Sequence, residues 1–109
     1  MPAAYKVLGQ SNPSATTLTT LYTVPSATSS VVSTLCIANL SAASSTFRIA
    51  IRVNGASIAN SQYIAYDVAL LGNDTIFMTL GLSLSAGDIV SVYSSTGNTT
   101  FSLFGSEIT

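Results

Sequence analysis

The chain has 109 residues, a net charge of −1 and only three cationic side chains, so it cannot build a phosphate-neutralising patch for nucleic acid. Only 6% of its residues are charged, against about 25% in an ordinary soluble domain, so Ser, Thr, Asn and small residues must form most of its surface. A surface of near-zero charge resists association weakly, and this favours a protein that works within an assembly.

The inventory of reactive side chains argues against an enzyme. There is no histidine, and the four acids Asp67, Asp74, Asp88 and Glu107 are scattered along the chain. The single Cys36 cannot form an internal disulfide, and its apolar surroundings predict a buried, inert thiol. We therefore expect no catalytic residue, no metal site and no cofactor.

Membrane association is also disfavoured by the sequence. No apolar run approaches the roughly 18 residues of a spanning helix, and there is no basic amphipathic helix. The first residues lack a charged segment followed by an apolar one, which predicts synthesis in the cytosol.

In chain order, a short loose N-terminal lead is followed by eight predicted strands with turn residues in every gap. The strands cover residues 5–10, 16–24, 31–39, 46–53, 63–71, 75–84, 89–94 and 99–104. Asn54-Gly55, after the fourth strand, is the strongest two-residue hairpin signal. The pattern predicts one all-β domain over residues 1–109, an antiparallel β-sandwich with jelly-roll-like wiring.

Alternation within the strands predicts which side chains face the core, because successive residues of a strand point to opposite faces. The predicted inward residues are Phe47, Ile49, Ile51, Ile64, Tyr66, Val68, Ile76, Met78, Leu80 and Leu82. The same alternation places Arg48 and Arg52 together on the outer face of one strand, and Tyr63 and Asp67 on the outer face of the next.

These four outward residues are the candidate interface. Arg is enriched at interfaces because its planar fork bonds carboxylates bidentately and stacks on rings. The alternative is that Arg48 and Arg52 are edge charges that prevent unwanted strand addition. A pair between an arginine and Asp67 could form across strands or between subunits. Asp74 and Asp88 follow turn residues at strand entries and are predicted to cap turns.

Five segments resemble the sequences of small virion proteins of tailed bacteriophages. They are Y-K-V-L-G-Q at 5–10, L-Y-T-V-P at 21–25, V-V-S-T-L at 31–35, Y-I-A-Y-D at 63–67 and G-D-I-V-S-V-Y at 87–93. The chain most resembles the cement (decoration) proteins of short-tailed cyanophages. This resemblance implies a β-sandwich homotrimer, made in the host cytoplasm, that sits on the outer capsid surface and contacts the major capsid protein.

Related sandwiches cap tailspikes, so the resemblance leaves a second function open. A tail-fibre or tailspike module of this kind would bind host surface glycans. The absence of tryptophan, the ring best suited to stacking on sugar faces, weakens that alternative. The resemblance assigns no functional residue to either role.

Overall fold

The computed structural model describes residues 3–109, which form eight strands joined by turns and two short 3-10 segments. The strands are β1 (Ala3–Ser11), β2 (Thr19–Thr23), β3 (Ser29–Asn39), β4 (Ser45–Arg52), β5 (Tyr63–Leu70), β6 (Thr75–Leu84), β7 (Ile89–Ser94) and β8 (Thr99–Ile108). The 3-10 segments, Val53–Gly55 and Asn60–Gln62, both lie between β4 and β5. Within this part of the chain no helix is long and apolar enough to cross a membrane.

The strands form two antiparallel four-stranded sheets, ordered β1-β8-β3-β6 and β2-β7-β4-β5. We call these the first and the second sheet. Only β4 and β5 are neighbours both in the chain and in a sheet, because the other connections cross from one sheet to the other. This order is the wiring of a jelly roll, and it confirms the predicted all-β sandwich.

The core lies between the two sheets and is mainly apolar. Phe47 of β4 and Phe101 of β8 meet there edge to face, with ring centroids 6.4 Å apart. The predicted inward positions Phe47 and Ile49 are 1% exposed. Five other predicted core residues are partly buried and pack against this cluster: Ile51, Ile76, Met78, Leu80 and Leu82.

Strand β5 departs from the predicted alternation. Ile64 is 43% exposed and Tyr66 is 55% exposed, whereas Ala65 is buried opposite Ile49. The predicted inward positions of Ile64 and Tyr66 are therefore wrong. The register shifts twice along β4 and β5, and Asp67 adopts a positive φ of 51° at the second shift. Such bulges insert an extra residue and exchange the faces of the strand on either side.

The C-terminal half of β5 keeps the predicted faces. Leu70 is fully buried opposite Ser45, and Val68 pairs with Phe47 on the inner face although it is 38% exposed at the sheet edge. Asp67 and Ala69 are exposed. The two shifts are thus local, and the strand recovers its register after Asp67.

Three other sequence predictions need correction. Asn54 and Gly55 have the positive φ values expected of a tight turn, 53° and 69°, but the chain continues through residues 56–62 before β5 begins. The N-terminal lead is shorter than predicted, because β1 already includes Ala3; its first two residues lie outside the described part. Cys36 is only partly buried, because it lies on the outer face of the first sheet.

A polar network joins the two sheets at the end where β1 begins. The Tyr22 hydroxyl of β2 donates to Glu107 Oε2 of β8 at 2.5 Å and lies 2.6 Å from Ser30 Oγ of β3. The other Glu107 oxygen, Oε1, lies 2.6 Å from Lys6 Nζ of β1. The Lys6 ammonium and the Tyr22 hydroxyl lower the pKa of Glu107, and burial, reinforced by Glu107, raises the pKa of Tyr22 to about 12.

Candidate functional site

The outer face of the second sheet carries a cluster of one arginine, three tyrosines and one aspartate. We call Arg48, Tyr63, Tyr66, Asp67 and Tyr93 the arginine–tyrosine cluster. Arg48 Nε donates to Asp67 Oδ1 at 2.6 Å and Arg48 Nη2 donates to Asp67 Oδ2 at 3.2 Å. The Arg48 guanidinium carbon lies 4.1 Å from the ring centroid of Tyr66 and 4.3 Å from that of Tyr93.

Strand order and the β5 bulge together produce this arrangement. Strand β4 lies between β7 and β5, so Tyr93, which pairs with Arg48, and Tyr66 flank the guanidinium from neighbouring strands. The bulge places two consecutive residues, Tyr66 and Asp67, opposite Arg48, so that one side chain stacks while the other forms the ion pair. The hydrogen bonds to Asp67 raise the pKa of Arg48 above its ordinary value, and an arginine stays charged in a protein in any case.

Beside the cluster lies a shallow depression of about 410 Å³, lined by Asn60, Tyr63 and Tyr66. The rings of Tyr63 and Tyr66 are nearly perpendicular, with centroids 4.9 Å apart. Among residues 3–109, the Asn60 amide and the two phenol hydroxyls form no hydrogen bond with another protein group. The depression therefore combines aromatic surface with polar groups that are available to a ligand.

The loop that carries Asn60 is held in place at three points. Asp88 is 8% exposed, and its two carboxylate oxygens accept the backbone N–H groups of Asn54 and Ser85. Arg52 Nε donates to the carbonyl oxygen of Ala56 at 2.7 Å. Gln62 closes the last turn by accepting from the Ala59 N–H and donating to the Ser57 carbonyl. These contacts pre-organise the loop, and they confirm Asp88 as a turn cap.

The structure brings together three of the four residues predicted from the sequence. Arg48, Asp67 and Tyr63 belong to the cluster, whereas Arg52 folds onto its own loop and also donates to the Gly55 carbonyl. Their role in an interface stays a prediction. The sequence analysis missed Tyr66, which it placed in the core, and also Tyr93 and Asn60. Only Tyr93 could have been found, because the alternation of β7 places it outward.

The outer face of the first sheet has a different character, and we call it the uncharged face. Cross-strand pairing defines three rows that each span all four strands. The rows are Tyr5–Ser106–Val31–Ser83, Val7–Phe104–Thr34–Thr79 and Gln10–Ser102–Cys36–Phe77. None of these positions is charged, and Tyr5, Phe77, Val7 and Val31 are 86%, 70%, 48% and 38% exposed.

Within residues 3–109, no group of three acidic or cysteine side chains lies close enough to hold a metal ion. No protein-family model matches the chain, and neither a curated protein nor a solved structure matches it.

Proposed function

We propose that the protein is a structural virion protein, a homotrimeric cement protein that binds the outer surface of an icosahedral phage capsid and stabilises contacts between major capsid proteins. The observation that carries the proposal is the uncharged face. Four large apolar side chains on three of its strands are exposed, and no charged group lies among them. Exposed apolar patches mark interaction surfaces, and the resemblance to cement proteins supplies the kind of assembly.

The occupant that best suits the uncharged face is another copy of this chain. A face without charges offers no complement to a charged partner, whereas a neighbouring copy of a chain with 6% charged residues presents similarly neutral surface. Such a contact stabilises by burying apolar area, at roughly 25 cal/mol per Å². Trimerisation would then strengthen attachment to the capsid, because three linked copies bind with a raised effective concentration.

The test introduces a charge into the uncharged face. We expect light scattering at micromolar concentration to give the mass of a trimer for the unaltered protein and of a monomer for Phe77→Lys. Val53→Lys is the matched control, because Val53 is similarly exposed, at 65%, but lies in the β4–β5 connection. Both variants should fold, since neither side chain belongs to the core.

Sedimentation with empty phage heads tests the second half of the proposal. The unaltered protein and Val53→Lys should sediment with the heads, and Phe77→Lys should remain largely in the supernatant. A monomeric mass for the unaltered protein would overturn the trimer, and failure to bind heads would overturn the cement role.

The alternative function, receptor binding by a tail-fibre or tailspike module, is favoured by one observation, the aromatic depression beside the arginine–tyrosine cluster. Labelling of intact virions with an antibody against the protein separates the two functions. Label over the whole head supports the cement protein, and label confined to the tail tip supports the receptor-binding module.

A further inference from the structure

We infer that the depression lined by Asn60, Tyr63 and Tyr66 binds a neutral saccharide unit. The inference rests on the alternative function rather than on the cement proposal. It can therefore fail while the trimer and its attachment to heads stand, and it can hold if they fail.

The first argument is the chemistry of the lining. A pyranose ring presents faces of C–H bonds that pack on aromatic rings, and a rim of hydroxyls that both donate and accept hydrogen bonds. The rings of Tyr63 and Tyr66 provide the aromatic surface at the depression. The Asn60 amide can donate and accept at the same time, which matches a sugar hydroxyl better than a group that only donates.

The second argument is the charge of the site. The Arg48 charge is balanced by Asp67, and two of its N–H groups are already engaged there. Tyr66 and Tyr93 also lie against the guanidinium, and only 23% of the Arg48 side chain is exposed. The lining itself holds no charged residue. An anionic sugar or a phosphate would find no free cation in this depression, so the geometry favours a neutral ligand.

The third argument is rigidity. Tyr66 is fixed by stacking on Arg48 and by the edge of Tyr63, and Asn60 follows a loop held by Arg52, Asp88 and Gln62. A weak ligand cannot supply the free energy needed to order a flexible site, so pre-ordering favours small polar ligands. The volume of about 410 Å³ lies near the lower end of the range for ligand sites, which suits one or two sugar units rather than an extended peptide.

The experiment is a titration of the isotope-labelled protein followed by amide and side-chain chemical shifts. The probes are maltotriose, cellotriose, chitotriose and lactose as neutral sugars, sialyllactose as an anionic sugar, and a proline-rich peptide. For at least one neutral sugar we expect saturable shifts confined to residues 58–67 and Tyr93, with a dissociation constant of about millimolar for so shallow a site.

Substitutions then assign the binding to named groups. Tyr63→Ala and Asn60→Ala should each weaken the neutral sugar by about tenfold, as expected when a central contact is truncated. Tyr63→Phe removes only the hydroxyl and should weaken binding less than Tyr63→Ala does. Asn98→Ala is the matched control for Asn60→Ala, because Asn98 is also exposed but lies in the β7–β8 turn.

Four outcomes would overturn the inference. They are no shifts with any neutral sugar at tens of millimolar, shifts that survive Tyr63→Ala unchanged, binding of sialyllactose alone, and binding of the proline-rich peptide alone. The last outcome would assign the depression to peptide docking, the other use of aromatic-lined surfaces. Because Asn60→Ala and Tyr63→Phe leave the Arg48 stack intact, they keep the test valid if Tyr63→Ala disturbs the fold.

Discussion

The two outer faces of the sandwich differ in whether their side chains have partners within the chain. On the second sheet, Arg48 and Arg52 both find partners within the chain, in Asp67 and in the carbonyls of the β4–β5 loop. On the first sheet, the rows through Tyr5, Val7 and Phe77 hold only apolar and neutral polar groups, and the largest of them are exposed. On the second sheet the charged side chains are paired within the chain, whereas on the first sheet large apolar side chains are left exposed to water.

The charges of the first sheet illustrate the same difference. Lys6 and Glu107 belong to rows of the inner face, where they pair with each other and Glu107 also accepts from Tyr22 of the opposite sheet. The outer rows of that sheet are thereby left neutral. A surface that lacks charges while it exposes aromatic rings is poorly protected against association, and association is the use we propose for it.

The largest expected effect compares a core phenylalanine with one on the uncharged face. Phe47→Ala should lower the free energy of unfolding by about 3–5 kcal/mol, because Phe47 is buried against Phe101. Phe77→Ala should change it by no more than about 0.5 kcal/mol in dilute solution, because Phe77 is 70% exposed.

Urea unfolding at two protein concentrations checks this comparison. If the uncharged face is covered in a trimer, Phe77→Ala should cost stability only at the higher concentration, where mass action favours the assembled state. A large loss at both concentrations would mean that Phe77 is packed within the single chain.

The next effect tests the register of β5, on which the arginine–tyrosine cluster depends. Ala65→Leu should destabilise the protein by about 1–3 kcal/mol, because Ala65 is buried opposite Ile49 and added methylenes overpack the core. Ile64→Ala should cost less than about 1 kcal/mol, because Ile64 is largely outside the core. The opposite ranking, measured by urea unfolding, would restore simple alternation and remove Tyr66 from the outer face.

Strands β4 and β5 also show how much of the fold the sequence could predict. Period-two alternation correctly placed Phe47, Ile49, Arg48 and Arg52, because β4 runs through the described structure as an inner strand of its sheet with neighbours on both sides. Alternation failed for β5 because a bulge adds only one residue to a strand, and no characteristic residue type marks its position. Asp67 adopts a positive φ at the bulge, but aspartates adopt positive φ in many turns as well. An aspartate in this sequence therefore does not predict a bulge.

The candidate site, like the fold, could be predicted only in part from the sequence. Outward alternation gave Arg48, Tyr63 and Asp67, whereas the stack needs strand order, since Tyr93 lies on β7 and far from Tyr66 in the chain. Asn60 depends on the path of the β4–β5 connection, of which the Asn54-Gly55 signal predicts only the turn at the start. Cys36 was misplaced because apolar residues lie on both faces of β3.

A smaller effect is the pH dependence of the Lys6–Glu107–Tyr22 network, the charged link behind the uncharged face. Because the folded-state pKa of Glu107 is lowered, its contribution is present above the ordinary glutamate pKa and is lost as the pH falls through the lowered value. Tyr22 has a raised pKa, so its contribution persists below its ordinary pKa and is lost as the pH rises towards about 12.

Glu107→Gln tests the contribution of Glu107 to stability at low pH. We expect the variant to be less stable than the unaltered protein at pH 7, and the two urea-unfolding curves to converge as the pH is lowered through the glutamate range. If the difference in free energy of unfolding stays constant across that range, the ionised carboxylate is not what stabilises this end of the sandwich.

The smallest expected effect concerns assembly after removal of both arginines of β4. From the sequence, outward alternation and the scarcity of other charges predict that at least one of Arg48 and Arg52 lies in a subunit or capsid contact, with Tyr63 and Asp67 as further candidates. The chain, however, already supplies Asp67 to Arg48 and loop carbonyls to Arg52, and exposed ion pairs contribute little to stability. We therefore expect the double variant Arg48→Ala, Arg52→Ala to fold, to keep the trimer mass and to sediment with heads at both low and high salt. Phe77→Lys, measured in the same experiment, is the control that should lose the trimer and its binding to heads.

The double variant Arg48→Ala, Arg52→Ala should also lose sugar binding, since Tyr66 no longer stacks on a guanidinium and the loop that carries Asn60 loses its Arg52 contacts. If it instead dissociates, or leaves the heads at a lower salt concentration than the unaltered protein does, the arginines serve the interface, and the second sheet rather than the uncharged face carries the assembly.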